Sequence, residues 1–198
     1  ILLRGKCSSC GEPISKLYLF IEFITGLLTV FLFWKFGLTA ELPFYMIFIY
    51  FLIVIAVIDF NTQLIHNKVL LVMAAAGLLL NSIFQVIPWY DAGLGILTGG
   101  ITMFVFAWAG KMLFKKEAMG MGDVKFSAVA GMFLGWKVIL IALYMGFVLA
   151  LLTVLLLHLF KRVNLQERIP LGPFLASGLM MFILFGDHVL ELYMHLIL

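Results

Sequence analysis

The chain is a succession of apolar runs broken by short polar junctions, and most of the runs approach the length of a membrane-spanning helix. Crossing ~30 Å of hydrocarbon at about 1.5 Å per residue takes about 20 apolar residues. Runs of that order lie at Leu17–Trp34, Leu42–Ile58, Val69–Ile87, Ala92–Phe114, Val138–Phe160 and Leu171–Leu190. A shorter one lies at Val124–Gly135. The expected fold is all-α, a polytopic transmembrane helix bundle of about six to seven helices. Composition agrees: 65% of the 198 residues are hydrophobic and 12% are charged, against about 45–50% and about 25% in soluble domains. A water-soluble fold has no means of hiding so much apolar surface, so the lipid bilayer is part of the solvent. The formal net charge of +3 is small, and nucleic acid is not an expected partner.

The junctions say which way the bundle faces. If the short run also crosses, Arg4, Lys6, Lys16, Lys68, Lys111, Lys115, Lys116, Lys125, Lys161, Arg162 and Arg168 fall on one side. Lys35 and Lys137 fall on the other. Lysine and arginine collect on the cytoplasmic side of membrane proteins. The N-terminus is therefore expected inside and the C-terminus outside, with residues 1–16 a cytoplasmic segment and 17–198 a transmembrane domain. Gly93, Gly95, Gly99 and Gly100 form a small-residue face on which another helix can approach closely in lipid.

Two carboxylates stand out. Asp59 follows the run Phe48–Ile58 with no polar buffer, and Asp123 sits in Met119-Gly-Met-Gly-Asp-Val-Lys125, just before the short run. Alternating topology ends one helix at Asp59 and begins another at Asp123, both near the cytoplasmic boundary. Two close aspartates share one proton, because both cannot easily ionise. The ionised partner can take a proton from water while the other donates to a scissile carbonyl, which is peptide hydrolysis without a metal or a covalent intermediate. Gly120 and Gly122 remove side-chain bulk beside Asp123. Each aspartate alone also reads as a helix cap, and acidic groups at membrane depth serve ion pathways as well as proteolysis. An ion- or proton-coupled transporter is the alternative, and a non-catalytic assembly factor a third reading.

At Lys116–Trp136 the sequence resembles the GxGD segment of the type IV prepilin leader peptidases, intramembrane aspartyl proteases. Three other stretches agree in order: Leu3–Ser15 with the family's cytoplasmic cysteine loop, Tyr18–Glu22 with its aromatic-to-Glu helix start, and Arg168-Ile-Pro-Leu-Gly-Pro-Phe174 with its I-P-[F/Y]-G-P-F motif. The resemblance implies that Asp59 and Asp123 are the catalytic pair and that Gly120, Gly122 and Lys125 are motif residues supporting it. It implies a prepilin or pseudopilin substrate with a short basic leader, cleaved after a glycine on the cytoplasmic face of the bacterial inner membrane. It also implies type IV pilus or type II secretion work, and N-methylation of the new N-terminus with S-adenosylmethionine in the intact protein. Proteolysis itself requires no cofactor.

Three departures stand beside the match. Ile65-His66-Asn67 occupies the place of the family's Pro-Asp, Lys16 stands for its arginine, and an earlier span with an earlier Cys-x-x-Cys is expected upstream. Cys7 and Cys10 make half of a tetrahedral zinc site, and the resemblance implies zinc held together with that upstream pair. Lys125 either tunes the aspartates or anchors at the headgroups. Glu22, five residues into a span, either meets water near the site or pairs with a basic residue. Pro170, Gly172 and Pro173 shape a helix start or line the substrate path.

Overall fold

A computed structural model describes residues 12, 15–114, 119–160 and 170–197, with side chains given for all of these except 114 and 187–197. The described residues form seven helices: α1 (Lys16–Phe36), α2 (Glu41–Thr62), α3 (Asn67–Phe84), α4 (Trp89–Phe114), α5 (Met121–Leu134), α6 (Trp136–Leu159) and α7 (Gly172–Ile197). Five of them, α1, α2, α3, α4 and α6, are long and apolar enough to cross a membrane. The fold is all-α as expected, and each apolar run has become a helix.

Helix α5 differs from the others in kind. At 14 residues it is about 21 Å long, short of a full crossing. It is also the most enclosed helix, with Val124, Phe126, Ser127 and every residue from Ala130 to Leu134 buried. A short helix is tolerated at membrane depth where neighbouring protein surrounds it. Phe133 stacks on Phe48 of α2 with ring centroids 4.4 Å apart and planes 6° from parallel, and Phe44 touches the same ring at 5.1 Å. One residue, Gly135, separates α5 from α6, and its φ of 76° lies where a side chain is disfavoured.

The α4–α5 seam is a backbone-to-backbone contact. A Cβ on Gly95 would fall onto the Gly131 carbonyl, and one on Gly99 onto the Ser127 carbonyl. Pairing 95 with 131 and 99 with 127 makes the two helices antiparallel. Gly100 faces the Ala128 methyl, where a Cβ would come to 3.3 Å. Gly93 has nothing within 4 Å, so the expected small-residue face comprises Gly95, Gly99 and Gly100 without it. A second seam, absent from the sequence reading, joins α6 to α7 where Gly178 meets the backbone of Gly146.

Polar side chains fix the remaining joints. Asn81, buried at the end of α3, donates to the Ile87 carbonyl at 2.8 Å and accepts from the Ile87 N–H at 2.9 Å. The α3–α4 turn thus leaves no orphaned amide at Asn81. The hydroxyls of Thr29 and Tyr50 meet at 2.9 Å between α1 and α2. Lys35 donates to the Ile183 and Leu184 carbonyls of α7 at 2.8 and 3.3 Å. Helix direction gathers Lys16, Lys68, Lys111 and Lys125 at one end of the bundle and Lys35 and Lys137 at the other, the asymmetry expected from the junctions.

Candidate active site

At the lysine-rich end, α2 finishes while α3, α5 and α7 begin. Helix α2 runs four residues past the expected limit at Ile58, so Asp59 lies inside its last turn. Gln63 closes that turn in the left-handed region at φ 52°, its N–H donating to the Asp59 carbonyl at 2.8 Å. The Asp59 side chain is turned into the bundle and only 5% exposed. Its Oδ2 accepts the Gly172 N–H at 2.8 Å, a bond between residues 113 positions apart. The donor is the first residue of α7, so the positive end of that helix faces the carboxylate.

Asp123 lies one turn inside α5. The helix begins three residues earlier than the expected Val124, with Gly120 as its N-cap and Asp123 in the first turn. The carboxylate folds back so that Oδ2 accepts the Gly120 N–H at 3.1 Å. The capping reading of Asp123 is therefore half right: it serves the helix start as the third residue rather than as the N-cap. Gly122 lets this start press on the α2–α3 connection, where a Cβ would come to 3.1 Å from the Ile65 Cβ. Asp59 and Asp123 are close enough to repel one another electrostatically. Each uses Oδ2 to accept a backbone N–H, Asp59 from Gly172 and Asp123 from Gly120. Two such carboxyl groups can hold one proton between them and work as an acid–base pair on water.

The other candidate residues sort by this geometry. Gly120 donates to Asp123, and Gly122 provides the close approach. Lys125 is exposed and donates to the Asn67 side chain at 3.1 Å, tying the start of α5 to the start of α3. Asn67 was legible only as a departure from a motif. Gly172 holds Asp59 directly, a role that Pro170-Leu-Gly-Pro173 signalled only as a helix start. Cys7 and Cys10 lie outside the described residues, and among those described no group of three or more His, Cys, Asp or Glu could hold a metal. Glu22 is exposed on α1 and lines an open groove of about 590 Å³ with Phe23, Gly26, Val30 and Trp34. His66 is exposed at the start of α3.

Residues 46–156, which include both aspartates, match the type IV leader peptidase family. Residues 1–36 match the bacterial peptidase A24 N-terminal domain. Among curated proteins, the chain is 31% identical over 195 residues to the prepilin leader peptidase/N-methyltransferase of Stutzerimonas stutzeri, covering 98% of this chain and 67% of that one. It is 32% identical over 195 residues to the protein of the same name in Pseudomonas aeruginosa, at 98% and 67% coverage. A third, from Dickeya chrysanthemi, is 34% identical over 183 residues, at 91% and 64%. No solved structure matches the chain.

Proposed function

The chain belongs to the type IV leader peptidase family, and from that premise we propose that Asp59 and Asp123 are the catalytic pair of a membrane-embedded aspartyl endopeptidase. The substrate is a prepilin or pseudopilin, and the bond cut joins its basic leader to its apolar helix. One observation carries the reading. Two aspartates from helices far apart in sequence lie within electrostatic reach at one end of the bundle, each with Oδ2 held by the backbone N–H of a glycine.

The chemistry follows from that arrangement. The ionised carboxylate takes a proton from water as the water oxygen attacks the scissile carbonyl carbon. The protonated carboxyl donates to the carbonyl oxygen. Collapse of the resulting diol breaks the C–N bond, and a proton passes to the leaving nitrogen. The site lies at the lysine-rich end, which the positive-inside rule makes cytoplasmic. On this proposal the N-terminus lies in the cytoplasm and the C-terminus on the far side of the bacterial inner membrane. Water is more available at this boundary than at the bilayer centre. Residues 17–198 form the catalytic domain, with residues 1–16 a cytoplasmic segment.

The relatives' name also includes N-methyltransferase, which implies S-adenosylmethionine. That ligand is polar and charged. The groove on α1 is lined almost wholly by apolar side chains, and a cavity of about 420 Å³ lined by Lys35, Glu41 and Tyr45 lies at the end remote from Asp59. Neither fits that ligand; methylation, and zinc at Cys7 and Cys10, are proposed together with the upstream cysteine pair that the family resemblance implies. Nothing in the comparisons supports an ion-coupled transporter.

The test is leader removal from a purified prepilin in liposomes by wild type, Asp59→Asn and Asp123→Asn. Both variants are expected to insert normally and to lose at least about 10³-fold in rate. Wild-type cleavage by either one would take that aspartate out of the mechanism.

A further inference from the structure

The first residue of α7 is as unusual as the aspartate it faces. A Cβ built on Gly172 would come to 2.5 Å from Asp59 Oδ2, 2.9 Å from Cγ and 3.0 Å from Cβ. No side chain fits there unless Asp59 or the start of α7 moves. The amides that follow are not available to the carboxylate. Pro173 has no N–H, and the N–H groups of Phe174 and Leu175 both go to the Leu171 carbonyl, at 3.0 Å each. The run Leu171-Gly-Pro173 therefore presents Gly172 as the amide that reaches Asp59, with no substituent between them.

We propose that Gly172 is a positioning residue for proteolysis: its N–H holds Oδ2 of Asp59, and its missing side chain lets the carboxyl group stand where Oδ1 meets water and Asp123. This rests on Asp59 being catalytic. It adds that the geometry of Asp59 is set by α7 as well as by its own helix. The bond is buried, so water does not replace it when it is lost. A carboxylate displaced by about 1 Å loses on the order of 10²-fold in rate.

The test compares Gly172→Ala with Gly146→Ala, measuring kcat and KM for prepilin cleavage in liposomes. Gly146 packs on the same first turn of α7, where a Cβ would come to 3.0 Å from the Leu175 Cα and 3.1 Å from the Phe174 carbonyl oxygen. Gly146→Ala thus disturbs α7 without touching Asp59. Gly172→Ala is expected to lose about 10²-fold in kcat with KM within about twofold of wild type. A Cβ on Gly146 asks that turn to give by only a few tenths of an ångström and keeps the Gly172 N–H bond, so Gly146→Ala is expected to melt at lower temperature and to lose at least about tenfold less kcat than Gly172→Ala. Equal kcat losses in the two variants, or a wild-type kcat in Gly172→Ala, would overturn the positioning role. If Gly172→Ala does not insert, an ester in place of the Gly172 amide removes the N–H without adding bulk. Its kcat is expected to fall about 10- to 100-fold, and an unchanged kcat would overturn the proposal. Asp59→Asn, run alongside, separates the two ideas: an active Asp59→Asn removes the catalytic reading itself, whereas an inactive one beside a fully active Gly172→Ala removes only the tether.

Discussion

Gly95→Ala and Gly93→Ala add the same methyl group to the same helix two residues apart, and the structure assigns them opposite outcomes. At Gly95 the new Cβ would overlap the Gly131 carbonyl, and the reciprocal contact places Gly131 against the Gly95 carbonyl. A carbon needs about 3.3 Å from a carbonyl oxygen, so α4 and α5 must separate by about 1 Å. Inserting one methyl group into a packed seam costs about 1–3 kcal/mol. With Asp123 in its proposed catalytic role, functional damage is expected, because α5 carries Asp123 one turn before Ser127, which is itself pressed against Gly99. A shift of about 1 Å at a catalytic group costs on the order of 10²-fold in rate. At Gly93 the methyl group meets nothing within 4 Å, and replacing a helical glycine by alanine there is neutral or stabilising by up to about 1 kcal/mol. Thermal melting in detergent reads the first quantity and leader cleavage in liposomes the second. A Gly95→Ala variant as stable and active as Gly93→Ala would refute the direct α4–α5 backbone contact.

Phe133→Ala removes a fully buried ring stacked on Phe48. It is expected to cost about 3–5 kcal/mol, seen as unfolding at lower denaturant, and a loss below about 1 kcal/mol would mean that the ring is not in the core. Strong chelators are expected to leave the cleavage rate within about twofold of the untreated enzyme, since paired carboxyl groups do acid–base work on water without a metal. Inhibition that zinc reverses would bring a metal into the proteolytic step.

Much of the molecule was legible before any coordinates, for one reason: a bilayer leaves a spanning segment few options. An unpaired amide in hydrocarbon is too costly for irregular backbone, so apolar runs such as Phe48–Ile58 had to be helical. The lysines marked the ends of those helices, and the run Gly-Met-Gly-Asp123 stood out as polar chemistry at one of them. The rotation of each helix about its axis was not legible. In water a helix shows its buried face as an apolar stripe, but in lipid the buried and lipid-facing sides are equally apolar. Hence Gly93 and Gly95 looked alike, although one is open and the other touches backbone. Hence also Lys125 was not matched with Asn67, nor Gly146 with Gly178. What the sequence determined by itself was the all-α class, a bundle of about six to seven helices, and the two aspartates at a common end. Only the tertiary structure decided that Asp59 turns inward to meet the first amide of α7. That contact joins residues 113 positions apart, and it exists because packing between α2 and α7 brings a helix end and a helix start together, which no local pattern encodes.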